Sequence, residues 1–171
     1  AKWKITVSLV WNGYNWVIAD IESGDTTARH YGLAVDLGST TVVARLLDCN
    51  SSLILKEVSC FNRQIKWGTD ILSRIFYCKD NREKLEEVRR ATVESICECM
   101  DKLDASLEMQ GTPSEQKTEN NSVSESCDDR GAKNAAPKAR SISRSALSMV
   151  IAGNTTMIHF LLGMDAFCVF Y

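Results

Sequence analysis

The sequence predicts an α/β domain in which a small sheet packs against one long helix. Three short apolar segments follow one another at 33–37, 42–48 and 53–59, as in an antiparallel three-stranded meander. Apolar residues then recur every three or four positions over 85–107, and a further apolar segment at 147–152 predicts another strand. Strands, a helix and a strand in this order are typical of an α/β fold.

Composition and charge narrow the classes of protein to which the chain could belong. Its 171 residues are 44% apolar and 25% charged, which is usual for a globular domain in water. The formal net charge of −2 gives no reason to expect nucleic acid or an anionic membrane as a partner. No apolar run reaches the ~18 residues of a membrane span, so we expect no transmembrane helix. The first residues also lack the apolar core of a signal peptide, and we expect a cytoplasmic protein.

The cysteines do not form the pattern of a disulfide framework or a metal site. There are seven of them, an odd number, and none forms a C-x-x-C pair. Ligand runs typical of iron–sulfur ferredoxins are absent as well. The pattern therefore favours reduced thiols over disulfides or bound zinc.

Residues 1–30 are predicted to form a β-hairpin that precedes the main domain. Apolar and polar residues alternate at 4–9 and 15–21, and Asn12-Gly13 between them is a strong hairpin signal. We interpret this segment as a connector or the end of a preceding domain, and 31–171 as a second unit. The chain starts at Ala1 without an initiator methionine, so we expect its true start to lie upstream.

Capping signals predict two separate helices after the meander, one short and one long. A short helix is predicted at 69–75, capped near Gly68 or Thr69. Asp80 and Glu83 have the spacing of a capping box and should begin the long helix.

The segment at about 111–146 is predicted to be a disordered insertion. It is rich in Ser, Asn, Glu, Lys and Ala and has few large apolar side chains, so burial cannot offset the entropy of ordering it. Beyond it we expect a buried strand at 147–152 and an apolar helix at 157–163.

The turn between the first two strands of the meander is the main candidate for chemistry. There Asp36 precedes Gly38, Ser39, Thr40 and Thr41. The glycine permits a close approach of the backbone to a ligand, and the amides and hydroxyls after it can bind phosphate oxygens. Asp36 could hold Mg²⁺ through water. From the pattern alone, an ordinary polar turn is an equally good interpretation.

A second cluster of polar residues lies around the short helix. Asp70 and Arg74 are four residues apart, so they could pair on one helix face. The cluster either lies near a ligand cleft or partner surface, or consists of helix caps and a surface ion pair. Its members are Asn62, Gln64, Gly68, Asp70, Ser73 and Arg74.

A third candidate site follows the last predicted strand. Asn154 and Thr155 stand at a strand–turn–helix junction, where free amides could bind an anion. The simpler interpretation is that Thr155 is a helix cap. His159, on an apolar helix, is interpreted as a hydrogen-bonded core histidine.

Three segments in the same order resemble the reductive activators of corrinoid-dependent enzymes. They are YGLAVDLGSTTVVARLLD at 31–48, NRQIKWGTDILSRI at 62–75 and VIAGNTTMIHFLLGMD at 150–165. Arg63 stands where that family usually has proline, and Leu72 departs in part from its usual valine–isoleucine pattern. The resemblance implies a ribonuclease H-like first subdomain of an actin/sugar kinase-type ATPase domain, here incomplete, with the insertion at 111–146.

The same resemblance implies a function. Such a protein uses ATP to drive the reduction of cob(II)alamin to cob(I)alamin on a corrinoid protein of a methyltransferase system. Asp36, Gly38, Ser39, Thr40 and Thr41 would bind phosphate, with Mg²⁺ near Asp36, while Asn154 and Thr155 are weaker candidates. A [2Fe–2S] cluster is expected only in an N-terminal domain of the parent protein that this chain lacks. A homodimer is one assembly that we consider.

We further expect the chain to be a fragment comprising most of the first subdomain. The parent would then bind ATP, and the isolated chain would bind it feebly or not at all. Two other interpretations stay open at this point. One is a small-molecule kinase of the same superfamily, which would need a catalytic aspartate elsewhere. The other is an inert or interaction-only truncated module.

Overall fold

A computed structural model describes residues 3–108 and 146–170 of the chain. The predicted insertion at 111–146 lies outside these residues except for its last position. Two 3₁₀ helices, Arg63–Trp67 and Phe167–Phe170, accompany the main elements. The strands and α-helices of the described part are β1 Ile5–Trp11, β2 Trp16–Ser23, β3 Tyr31–Leu37, β4 Thr41–Asp48, β5 Leu53–Phe61, α1 Ile71–Cys78, α2 Arg82–Glu108, β6 Ser148–Gly153 and α3 Thr155–Leu162.

The main sheet has four strands in the order β5-β4-β3-β6. The strands β3, β4 and β5 form the predicted antiparallel meander, and β6 returns parallel to β3 after the helices. Leu37 at the end of β3 pairs with both Val42 of β4 and Gly153 of β6. The α/β class predicted from the sequence is therefore confirmed. The pairing also brings the turn after β3 and the C-terminal end of β6 together, at the end of the sheet where both strands finish.

The core lies between this sheet and α2, and α3 closes part of it. Alternate residues of β3 and β4 point into the core, while α2 contributes one face at helical spacing. The most deeply buried apolar side chains are Leu37, Val42, Ala44, Leu46, Val88, Cys99, Leu103, Met157 and Phe160.

The long helix begins one residue later than its predicted capping box implies. The side chain of Asn81 accepts a hydrogen bond from the amide of Lys84 at 3.0 Å, so Asn81 is the cap. Asp80 instead has a φ of 54°, in the left-handed region. The cap predicted from Asp80 and Glu83 was wrong by one residue, because Asp80 lies in the turn that precedes the helix.

The strand β6 is more exposed than its apolar sequence predicts. Met149 and Val150 are 43% and 67% exposed, and no described strand pairs with the outer edge of β6. An apolar run predicts burial on both faces, but the position of a strand within a sheet depends on contacts that are distant in sequence. The predicted buried strand is thus an edge strand among the described residues.

The six cysteines in the described ranges are all unpaired, and Cys60 and Cys99 lie with their sulfurs 3.2 Å apart in the core. Burial raises the pKa of the Cys78 thiol to about 11. Within residues 3–108 and 146–170, no group of three or more histidine, cysteine or acidic side chains could hold a metal ion. None of the helices described there is long and apolar enough to cross a membrane.

Candidate phosphate-binding loop

Residues 38–41 form the tight connection between β3 and β4. The amide of Gly38 donates to the carbonyl of Thr41 at 3.1 Å and closes the turn. A Cβ atom at position 38 would lie 2.5 Å from that same carbonyl oxygen. Gly38 is therefore required by the turn itself, a backbone reason that differs from the ligand approach inferred from the sequence.

Three consecutive carbonyl groups of this loop are bound from the protein side. The carbonyl of Gly38 accepts from Asn62 Nδ2 at 2.9 Å, and that of Thr40 accepts from the Asn62 amide at 2.8 Å. Between them, the carbonyl of Ser39 accepts from Arg74 Nη1 at 2.7 Å. The acceptors of the loop are thus all engaged, which holds its backbone in one orientation.

Several donors of the loop, unlike its carbonyls, have no such partner. Among the residues that the structure describes, no group accepts a hydrogen bond from the amides of Ser39 and Thr40. The hydroxyls of Ser39, Thr40 and Thr41 form no hydrogen bond with these residues either. The carboxylate of Asp36 is exposed and also has no described partner. Free amides and hydroxyls beside a carboxylate match the groups that bind phosphate oxygens and hydrated Mg²⁺.

Four polar side chains lie under the loop, and we call them the loop-support cluster: Asn62, Gln64, Arg74 and Thr92. All four are 0% exposed. Asn62 Oδ1 accepts from the Gln64 amide at 3.0 Å, and Gln64 Oε1 accepts from Arg74 Nη1 at 3.2 Å. Gln64 Nε2 donates to the hydroxyl of Thr92, which donates to the carbonyl of Val88 at 2.9 Å. The network therefore links the loop to α2.

Arg74 places a buried positive charge directly behind the loop. Its Nε donates to the carbonyl of Gly68 at 2.9 Å, while Nη2 is buried with no partner among the described residues. Burial lowers the pKa of the guanidinium and the charge of Asp70 opposes that shift, but arginine stays charged at neutral pH. No carboxylate in the described ranges forms an ion pair with it, so its charge is available to attract an anion nearby.

The pairing of Asp70 with Arg74 that helix spacing suggested is not formed. Asp70 caps α1 instead, accepting from the Ser73 amide at 2.8 Å and the Ser73 hydroxyl at 2.6 Å. These two hydrogen bonds lower the pKa of the Asp70 carboxyl below its ordinary value. Neither of the two interpretations offered for this segment, a cleft or partner surface on the one hand and helix caps with an ion pair on the other, included the role of Arg74. Its partner Ser39 is 35 residues away in the sequence.

Arg63, which stands where the family usually has proline, attaches the segment to α2. Its amide donates to the hydroxyl of Ser95 at 3.0 Å, a bond that proline could not make. Its exposed side chain lies 3.2 Å from Glu94 and 3.0 Å from Glu98. Arg63 therefore connects the segment of the loop-support cluster to α2.

The start of α3 lies beside the loop, at the end of the sheet where β3 and β6 both finish. Gly153 pairs with Leu37, and a Cβ on Gly153 would lie 2.8 Å from the Leu37 carbonyl. Asn154 caps α3 by accepting from the Met157 amide at 2.9 Å, so the cap is not Thr155, which is exposed in the first turn. The structure thus brings Asn154 and Thr155 next to the loop, and the helix N-terminus adds partial positive charge there.

His159 is half-buried, so it is not the core histidine expected from the sequence. Its Nδ1 lies 2.7 Å from the carbonyl of Thr155, one helical turn earlier. Its Nε2 lies 3.7 Å from Cys168 Sγ. The ring hydrogen-bonds within its own helix and has no contact with the loop.

A sequence profile of the family described as RACo middle region matches residues 31–118, just over half of the chain. The chain belongs to this family. The match includes the loop and all four members of the loop-support cluster. The resemblance to reductive activators of corrinoid enzymes is therefore confirmed.

Two relatives carry names of the same kind. The corrinoid activation enzyme RamQ of Eubacterium limosum is 37% identical over 84 residues, which are 49% of this chain and 14% of that protein. A solved structure of a reductive activator for corrinoid, iron-sulfur protein aligns with a TM-score of 0.64 and 28% identity. That alignment covers 94% of this chain and 20% of the other. The chain thus spans a fifth or less of the length of both relatives.

Proposed function

We propose that this chain forms the phosphate-binding part of an ATPase domain in a reductive activator of corrinoid proteins. The observation that carries the proposal is the loop at 38–41. Its carbonyls are held by the protein, while its hydroxyls and the amides of Ser39 and Thr40 are left for a ligand. The family match and the names of the two relatives support the choice of corrinoid activation over other ATP-dependent functions.

The proposal includes a finer assignment of the fold. An antiparallel meander, a helix and a returning parallel strand are the elements expected at the start of a ribonuclease H-like subdomain of the actin and sugar kinase type. In that arrangement the turn after the first strand would face the nucleotide. The longer relatives leave room for a second subdomain to supply the opposite side of the site.

Each residue near the loop has a role in this proposal. The amides of Ser39 and Thr40 and the hydroxyls of Ser39, Thr40 and Thr41 would donate to phosphate oxygens. Arg74 would contribute positive potential from behind while keeping the Ser39 carbonyl turned away from the phosphate. The helix start at Thr155 would add amide dipoles from the side.

Asp36 would hold a Mg²⁺ ion that accompanies the nucleotide. Its carboxylate is exposed at the end of β3 and makes no hydrogen bond within the described residues, and Mg²⁺ is usually bound by one or two carboxylates together with water and phosphate. When bound, the ion would neutralise charge that develops on the phosphates. The chain's own part is to position one carboxylate beside the phosphate donors.

In the longer protein, nucleotide binding would drive reduction of cob(II)alamin to cob(I)alamin on a partner corrinoid protein. The electron would come from a [2Fe–2S] domain outside this chain. Neither nucleic acid nor a membrane would be a partner.

The first experiment measures phosphate binding by the 171-residue chain itself. In ¹H–¹⁵N NMR spectra, Mg-ATP added to roughly 10 mM should shift the amide signals of Ser39, Thr40 and Thr41, and then those at the start of α3. Asp36→Asn should remove the dependence of these shifts on Mg²⁺, while Asp70→Asn, a carboxylate that caps a helix, should not. Unshifted loop amides at saturating Mg-ATP would contradict the assignment of the loop.

Isothermal titration checks the expectation that one side of a cleft binds weakly. Phosphate contacts exposed to water are weaker than those in a closed site. A dissociation constant weaker than about 10 µM, or about −7 kcal/mol, is expected for Mg-ATP. Tighter binding by the chain alone would show that no second subdomain is needed.

The second experiment tests the corrinoid function in a longer protein that carries this chain. Asp36→Ala should abolish the ATP dependence of cob(II)alamin reduction, followed by absorbance, and leave the circular dichroism spectrum unchanged. Unaltered ATP-dependent reduction in that variant would refute the role of Asp36. Absence of any cob(II)alamin reduction by the unmodified protein would refute the function itself.

A further inference from the structure

The segment that follows α3 folds back along that helix. Gly163 adopts the left-handed conformation, with a φ of 68°, and its amide donates to the carbonyl of Phe160 at 3.2 Å. The amide of Met164 donates to the carbonyl of His159 at 2.8 Å, which completes a chain reversal typical of a glycine cap. The reversal returns the chain to the last turn of α3, where Cys168 lies against His159.

The 3₁₀ helix after α3 fixes the position of Cys168 through the residue that precedes it. The Asp165 carboxylate accepts from the Phe167 amide at 2.9 Å, at the start of this short helix. The ring of Phe167 packs edge to face on Phe76 of α1, with ring centroids 6.1 Å apart. On the same ring, Lys79 Nζ lies 4.2 Å from the centroid. Contacts with α1 thus hold Phe167, and Cys168 follows it directly in the chain.

A hydrogen bond within α3 determines which ring nitrogen of His159 carries the proton. Nδ1 lies 2.7 Å from the carbonyl oxygen of Thr155, and because a carbonyl can only accept, Nδ1 must donate. In the neutral ring Nε2 is then the free acceptor. That nitrogen lies 3.7 Å from Cys168 Sγ, a hydrogen-bonding distance for sulfur. A basic nitrogen therefore faces the thiol.

The thiol of Cys168 has two acceptors, but only one of them can remove its proton. Sγ lies 3.1 Å from the carbonyl oxygen of Asp165, which accepts a hydrogen bond but is not a base. Nε2 of His159 can take the proton entirely, which leaves a thiolate beside an imidazolium. The thiolate is the nucleophilic form of cysteine, and an adjacent histidine is a common means of producing it.

This environment sets Cys168 apart from the other thiols in residues 3–108 and 146–170. Three of those are buried in the core: Cys60, Cys78 and Cys99. Cys49 and Cys97 are exposed like Cys168, but neither sulfur forms a hydrogen bond with a described residue. Among the described cysteines, only Cys168 is both exposed and within hydrogen-bonding distance of a histidine ring.

We propose that Cys168 and His159 form a reactive thiol–imidazole pair, which exchanges with low-molecular-weight disulfides to give a mixed disulfide on Cys168. His159 Nε2 removes the thiol proton, and the Sγ thiolate attacks one sulfur atom of the disulfide. A new S–S bond forms to Cys168 as the original S–S bond breaks. The second half leaves as a thiolate and takes the proton from the imidazolium. One disulfide replaces another, so the small disulfide is the only oxidant required.

The test measures the initial rate at which each cysteine of the 171-residue chain forms a mixed disulfide with glutathione disulfide at neutral pH. Free thiols are alkylated to stop the reaction, and each cysteine is read from its own peptide by mass spectrometry. Cys168 should react about tenfold faster than Cys49 and Cys97, the exposed thiols without a histidine partner. Equal rates at these three positions would overturn the proposal.

Two histidine variants test whether the imidazole of His159 is responsible. His159→Gln keeps a polar side chain but supplies no base, so the Cys168 rate should fall about tenfold, to that of Cys49. His30→Gln makes the same change at the other histidine of the chain and should leave the Cys168 rate unchanged. A loss in both variants, or in neither, would contradict the pairing.

The buried thiols and a denatured sample separate the effect of the pair from unfolding. Cys60 and Cys99 lie in the core, so both should stay unmodified in every folded variant. In concentrated urea, which separates Cys168 from His159, the unmodified chain should lose the rate advantage of Cys168. An advantage that persists in urea would belong to the local sequence and would overturn the proposal, even if His159→Gln failed to fold.

Discussion

One face of the hairpin formed by β1 and β2, which we call the hairpin face, and the loop-support cluster differ in their exposure to solvent. The hairpin face consists of Val7, Leu9, Trp11, Trp16, Ile18 and Ile21. On the hairpin face, six apolar side chains are exposed, including two tryptophans. Under the loop, an arginine, an asparagine, a glutamine and a threonine are completely buried. Both regions depart from the usual distribution of polar and apolar residues.

The two regions have different requirements for stability. Buried polar groups are tolerated only when they are hydrogen-bonded, and the cluster satisfies all but Nη2 of Arg74 through the loop, Gly68 and α2. Exposed apolar side chains contribute no hydrophobic stabilisation until they are buried against another surface. The cluster is therefore stabilised within the chain, whereas the hairpin face would be stabilised only by burial.

The largest predicted effect comes from removing the guanidinium under the loop. Arg74→Ala leaves the carbonyls of Ser39 and Gly68 without donors and opens a cavity, so we expect a loss of roughly 3–5 kcal/mol in unfolding free energy. Urea titration followed by circular dichroism measures it. Arg63→Ala, in the same segment but with exposed ion pairs, is the matched control and should lose much less. Equal losses in the two variants would mean that the cluster does not support the loop.

An intermediate effect is predicted for the turn. Gly38→Ala forces a Cβ to within 2.5 Å of the Thr41 carbonyl, so we expect a loss of about 1–3 kcal/mol. Gly32→Ala is the control, because its Cβ would be 3.0 Å from the side-chain sulfur of exposed Cys49, which can move aside. A Gly38 variant as stable as the Gly32 variant would show that the turn relaxes, contrary to the geometric argument.

The smallest effect is predicted for the hairpin. Val7→Thr should change the unfolding free energy of the monomer by less than about 0.5 kcal/mol, since the side chain is already exposed. The same substitution at Val42, which is 0% exposed in the core, should cost about 1–3 kcal/mol because it buries a hydroxyl. Both are measured by urea titration. A large loss from Val7→Thr would mean that the monomer already buries the hairpin face.

Much of the fold could be predicted from the sequence because its signals are local. The meander, the long helix and the last helix all appear near their predicted positions, and the Asn12-Gly13 turn joins two paired strands. Helix starts were less well predicted, since Asn81 and Asn154 are the caps in place of Asp80 and Thr155. Neighbouring residues of similar capping ability cannot be distinguished by residue type alone.

The candidate site was predicted only in part. Asp36 to Thr41 were identified from residue types at a turn, and their roles as phosphate and magnesium ligands stay predictions. The polar segment at 62–75 gave no sign that it would bind the carbonyls of that turn. For Arg74 the sequence suggested only that it could pair with Asp70, four residues away on the same helix.

By itself, the sequence determined the order of strands and helices, the position of the polar turn and the place of the hairpin. Each depends on residues a few positions apart, through alternation, helical spacing and turn chemistry. Only the tertiary structure decided that β6 is exposed at an edge, that a β-bulge in the hairpin collects the hairpin face on one side, and that Arg74 is buried behind Ser39. The physical reason is that these outcomes depend on pairing and on contacts between segments, which span up to 35 residues in the case of Ser39 and Arg74.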